Sequence, residues 1–102
     1  MKHSLSNGNI IFTEDGITGT SIYKCDKYEI INMHIPVAKE LSAHKVPFEA
    51  AFYIMSGEGI ITLNSQEIEV KQNDVIVAKE NVQRGIKNTG KDDLEITVYK
   101  TI

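Results

Sequence analysis

Three side chains of this sequence could do chemistry together: His44, Glu49 and Arg84. Arg84 is the only arginine among the 102 residues. A guanidinium offers five donors in a rigid fork that matches the oxygen pair of a carboxylate or phosphate. In partly apolar surroundings the match strengthens, because less water competes. One reading of Arg84 is therefore an anion anchor for a small acidic ligand. The other is a structural ion pair, with Glu49 or Glu58 as partner, or a side chain that extends to solvent. His44 changes charge near neutrality, so it can act as a metal ligand, a hydrogen-bond donor or a general base. It can equally be a core histidine satisfied by backbone. Glu49 is a carboxylate that could join it, and a divalent transition ion needs about three or four such donors.

Other candidates fall away. His34 alternates with Ile31, Met33 and Ile35, so it lies on the face opposite theirs. His3 sits near a terminus. Cys25 stands alone in the sequence, which excludes an internal disulfide and fits a cytoplasmic home. No histidine neighbour marks it as a reactive thiol. There is no Cys pair with zinc spacing and no nucleophile elbow, and Gly57 and Gly59 are turn glycines rather than a phosphate loop. A net charge of −3 and a pI near 5.5 argue against a nucleic-acid partner. No run is long and apolar enough to span a bilayer, and residues 1–12 lack a secretory stretch.

The elements that must position these residues are strands. Isoleucine occurs 15 times and leucine 4 times, and β-branched side chains favour pleated structure. Residues 18–24 and 28–35 flank a turn at Asp26 and Lys27. Residues 36–43 read as a loop or a single helical turn. Residues 50–55 form a strand ending at the turn 56–59. Residues 60–63 and 67–70 make a hairpin, 75–78 and 83–87 are further strands, and Leu94, Ile96 and Val98 alternate inward along the last one. If Ala50 faces inward, so do Phe52 and Ile54, while Tyr53 and Met55 face out and suggest a partner surface that Tyr99 and Ile102 could join. Strands at this spacing suggest an all-β sandwich or barrel in one domain, residues 1–102.

The stretch 44–59, HKVPFEAAFYIMSGEG, and the stretch 73–88, NDVIVAKENVQRGIKN, resemble the two signature motifs of the cupin family. Aligned on Gly57, the first motif puts His44 on its first histidine, Val46 on its second and Ala50 on its glutamate. Aligned on Asn88, the second puts Arg84 on its third histidine, Asn81 on its inner glycine, Lys79 on its proline and Asn73 on its first glycine. The resemblance covers residues 28–100 and implies a double-stranded β-helix, the jelly-roll barrel, with a pocket at one mouth. It implies that the family's metal cage is reduced to one ligand in four. It places His44, Arg84 and Phe52 in the cup, with Phe48 at its rim. Glu49 lies one residue from the family position, and Pro47 could let it turn in. Small cupins commonly form homodimers, so a homodimer is implied, with residues 1–27 a candidate for exchange between subunits.

Three functions follow as expectations. The first is a metal-free binding module for a small organic acid, with Arg84 and His44 as anchors and Phe52, Glu49 and Phe48 around them. The second is a metal-dependent oxygenase or isomerase using His44 and Glu49. The third is a structural or regulatory module working through the outer sheet around Tyr53. The balance leans away from an enzyme and from any cofactor, and leaves the ligand open.

Overall fold

Alternating β-branched residues and closely spaced turns give ten strands and no α-helix. The computed structural model describes residues 1–102. After a single 3-10 turn at Leu5–Asn7, the strands are β1 (Asn9–Glu14), β2 (Ile17–Lys24), β3 (Tyr28–Ile35), β4 (Glu40–Lys45), β5 (Ala50–Ser56), β6 (Glu58–Leu63), β7 (Gln66–Lys71), β8 (Val75–Ala78), β9 (Gln83–Asn88) and β10 (Leu94–Thr101). They form two antiparallel sheets, ordered β1-β2-β3-β10-β5-β8 and β4-β9-β6-β7. This is the double-stranded β-helix that the sequence motifs imply. No helix is long and apolar enough to cross a membrane.

Residues 36–43 depart from expectation. They are neither loop nor helical turn throughout: Ala38 turns the chain at φ 67°, and β4 begins at Glu40. Its partner is β9, with Glu40 opposite Lys87 and His44 opposite Arg84. The hydrogen bonding of β4 comes from a strand about 40 residues away, so local propensity carries no sign of it. Gly85 permits the close approach, since a Cβ there would meet backbone atoms of Leu41 and Ala43 at 3.1 Å.

The two turns where the second motif departs from the family keep the backbone shape that glycine serves. Asn73 and Asn81 stand at φ 76° and 66°, in the left-handed region where asparagine is among the best-tolerated side chains. Each turn is tied down by its own amide. Asn73 donates to the Ile54 carbonyl at 2.8 Å, and Asn81 to the Val46 carbonyl at 2.8 Å.

Inward positions of the central strands run from a sealed end to an open one. On β3 the series is Ile35, Met33, Ile31, Glu29; on β10 it is Leu94, Ile96, Val98, Lys100; on β5 it is Ile54, Phe52, Ala50. Register pairs them across the sheet, with Ile96 opposite both Met33 and Ile54, and Lys100 opposite both Glu29 and Ala50. Ile35, Ile54, Ile61, Leu94 and Ile96 are fully buried and close the bottom. Two residues further along each strand, about 6–7 Å higher, the packing opens. On the outer face Tyr53, Met55 and Tyr99 are exposed, as expected, together with Val75 and Val77. His34 also faces out and pairs with Asp93 at 2.8 Å.

Asn88 holds the last turn. Only 3% exposed, it donates to the carbonyls of Ile35 at 2.9 Å and Asp92 at 3.0 Å, and accepts from the Gly90 amide at 2.9 Å. Asn88→Ala strands three backbone groups. It is expected to lower stability by about 2–4 kcal/mol, read as a shift of the urea midpoint with an unchanged slope.

Candidate functional site

Where the inward series opens, the two sheets enclose a cup of about 220 Å³ lined by 13 residues, 10 of them hydrophobic. Phe12 comes from β1, Ile31 and Met33 from β3, Ala50 and Phe52 from β5 and Val98 from β10. Leu41 and Ile86 face them from the four-stranded sheet. Val46 and Phe48, in the loop before β5, complete the apolar wall. The polar lining residues are His44, Arg84 and Lys100.

Arg84 is 5% exposed. Its Nε donates to the Val82 carbonyl at 3.1 Å and one terminal nitrogen to the Lys79 carbonyl at 2.7 Å. No carboxylate lies within ion-pairing distance of it. The expected alternatives of a pair with Glu49 or Glu58, or of a side chain reaching bulk solvent, are therefore not what the fold adopts. No buried side-chain nitrogen or oxygen lacks a hydrogen-bond partner, so the other terminal nitrogen, which makes no hydrogen bond, is not sealed off, and Arg84 lines the cup. Burial draws the guanidinium below its ordinary pKa, because desolvation disfavours the charged form.

His44 is the cross-strand neighbour of Arg84. Its Nδ1 lies 3.2 Å from the Ser42 carbonyl, which leaves Nε2 free. Phe48 and Phe52 line the same cavity, so four of the five expected site residues come together. Glu49 does not join them. Strand alternation that turns Ala50 inward turns Glu49 outward, and Pro47 does not reverse it. The Glu49 carbonyl accepts from the Thr101 amide and hydroxyl, both at 3.0 Å, which fixes the backbone. Its carboxylate pairs with Lys79 at 3.2 Å on the exterior.

The four positions that the motifs align with family metal ligands, residues 44, 46, 50 and 84, all line this cup. Their side chains are imidazole, isopropyl, methyl and guanidinium. One nitrogen ligand beside a fixed cation does not fit a divalent ion that needs about three or four donors. No group of three or more His, Cys, Asp or Glu side chains elsewhere is placed to hold a metal ion.

Lys100 and its support escaped the sequence reading. Lys100 stands 4.8 Å over the Phe48 ring, within cation–π range. Its Nζ lies 3.2 Å from Oε1 of Glu29, the opposite residue on β3. Glu29 is 4% exposed and is not itself among the residues that line the cup. Burial by itself would raise its pKa, but hydrogen bonds from Ser21 and Lys100 and the charges of Lys100 and Lys24 outweigh that and hold it below the ordinary 4.5. The signal was present: Lys100 continues the inward alternation of Leu94, Ile96 and Val98. Phe12 left no such trace, because a pairing irregularity between Ile10 and Phe12 resets the alternation of β1.

Residues 32–99 match the family model described as cupin domain. Among curated proteins, an uncharacterized protein of Methanocaldococcus jannaschii is 32% identical over 77 residues, covering 74% of this chain and 62% of that protein. An oxalate-binding protein of Thermotoga maritima is 33% identical over 64 residues, covering 62% of this chain and 53% of that one. The chain thus spans less than two thirds of the length of these curated relatives. Among solved structures, a predicted oxalate decarboxylase of Thermotoga maritima superposes with a TM-score of 0.85 at 21% identity, covering 100% of this chain and 99% of that one. An RmlC-like cupin of Shewanella frigidimarina gives 0.83 at 11% identity, covering 99% and 94%. At these identities the structures attest the fold alone.

The Glu29–Lys100 pair gives this end of the barrel a pH dependence. With its folded-state pKa lowered, the Glu29 carboxylate stabilises the fold above its ordinary 4.5, and the contribution is lost as pH falls through the lowered value. Glu29→Gln is expected to cost about 1–3 kcal/mol at pH 7 and to flatten the acid limb of the melting-temperature profile. Parallel profiles for the two proteins would show that the pair contributes nothing.

Proposed function

The chain belongs to the cupin family, and from that premise we propose that its cup binds a small organic acid, with Arg84 as the carboxylate anchor and no resident metal ion. One observation carries the reading: a buried guanidinium without an acidic partner, opening onto an apolar cavity. Leaving a charge desolvated and half-satisfied is costly in a folded protein. Two backbone carbonyls offset part of that cost, and a bound carboxylate would offset the rest through the bidentate geometry a guanidinium favours. His44 stands beside Arg84 and can donate to or accept from the same ligand. Lys100, from the opposite sheet, adds a second cationic face to the cup.

The curated relative named as an oxalate-binding protein supports a carboxylate as the chemical class. The metal-dependent reading has less support. It needs Glu49 beside His44, and Glu49 faces the exterior with Lys79 as its partner. Nothing in the arrangement supplies a nucleophile paired with a base, so the reading is of binding rather than turnover.

The test is a thermal-shift and calorimetric screen with acetate, oxalate, succinate and benzoate. At 100 times its dissociation constant a ligand stabilises by about 2.7 kcal/mol, which moves the melting temperature of a domain this size by several degrees. Arg84→Gln is expected to weaken the acid that binds by tenfold or more. Without ligand it should change stability by less than about 1.5 kcal/mol, whereas breaking a buried ion pair costs about 3–5 kcal/mol. Unchanged affinity in Arg84→Gln would refute the anchor, and a loss of about 3 kcal/mol or more would return Arg84 to a structural role.

A further inference from the structure

We infer that the ligand of this cup is a monocarboxylate with a compact apolar body, about the size of benzoate, rather than a small dicarboxylate such as oxalate. The inference rests on the organic-acid reading above and narrows it. Three features of the cavity converge on it.

The first is charge. Arg84 and Lys100 bring two positive charges to the wall. Lys100 is already compensated by Glu29 at 3.2 Å. Arg84 has only carbonyl partners. The one uncompensated charge of the two therefore belongs to Arg84. A monoanion neutralises it. A dianion leaves one carboxylate to compete with Glu29 for Lys100, or to lie unpaired against hydrocarbon at high desolvation cost.

The second is the wall itself. The chain has three phenylalanines, and all three, Phe12, Phe48 and Phe52, line this cavity together with Ile31, Met33 and Val98. These six come from four strands and one loop, so the concentration is a product of the fold and not of local sequence. Oxalate is two carboxylates and nothing else, and it would bury none of its surface favourably there. An aryl or branched alkyl group would, and Met33 adds a thioether that adapts to irregular apolar shapes.

The third is size. A cavity of about 150 Å³ lined by leucine, isoleucine and phenylalanine admits benzene. The cup here is about 220 Å³ and open at one end, which leaves room for the ring and for a carboxylate directed at Arg84.

Calorimetric titration of the chain with benzoate, acetate, oxalate and benzyl alcohol tests this. Benzoate is expected to bind at least tenfold more tightly than acetate or oxalate, and benzyl alcohol at least tenfold more weakly than benzoate. Phe48→Ser, at the half-buried rim, should reduce the advantage of benzoate over acetate at least fivefold. Met33→Gln is the second variant for the same ratio, with melting temperatures confirming that each is folded. If oxalate binds more tightly than benzoate, and Arg84→Gln abolishes it, the monocarboxylate inference fails and the organic-acid reading stands. It fails in the same way if benzoate and acetate bind equally, or if both folded variants leave their ratio unchanged. If none of the acids binds, or benzyl alcohol equals benzoate, both readings fail.

Discussion

The register of β10 between β3 and β5 is the constraint on which the rest depends. That strand is paired along nearly its whole length on both sides, so its inward residues occupy fixed heights in the barrel. Leu94 and Ile96 seal the bottom, Val98 lines the cup and Lys100 reaches the mouth. A slip of one residue would turn Lys100 and Val98 outward and bring Tyr99 and Thr97 in. The core and the polarity of the opening are thus one structural decision, made by a single strand. The carboxylate of Glu29 takes its place opposite Lys100 by the same register.

The two sheets contribute different things. The six-stranded sheet supplies most of the apolar wall and a cation already compensated by its neighbour. The four-stranded sheet supplies Arg84 and His44, side by side on β9 and β4. Desolvation makes the guanidinium costly to hold, and the fold satisfies it only in part. Such under-satisfaction is characteristic of sites where a ligand completes the hydrogen bonding. Under the proposed acid-binding reading, the charge balance and the hydrocarbon around it bear on which acids would fit.

Several features of the barrel were legible in the sequence. The alternation of Ile31, Met33 and Ile35, and of Leu94, Ile96 and Val98, identified inward faces that the structure keeps. Ala50, Phe52 and Ile54 face inward as expected, and Tyr53 and Met55 face out. The turn asparagines carried a double message. Asn73 and Asn81 departed from the family glycines, yet their side chains tolerate the same backbone region, so the motif survives in shape though altered in letters. By contrast β4 was hidden, because Glu40, Ser42 and Lys45 give no strand pattern until β9 is beside them. Phe12 was hidden too, since a bulge broke the alternation that would have flagged it.

By itself the sequence determined the all-β class, the inward and outward faces of the long strands, and the chemical types at the four positions that the motifs bring to the cup. Those depend on local periodicity and residue identity, which are written along the chain. Only the tertiary structure decided that Glu49 turns away, that Arg84 meets no acid, and that Lys100 is matched by a carboxylate 71 residues earlier on another strand. Each of those is a relation between distant segments, and distance in space is set by strand pairing that no single stretch of residues encodes.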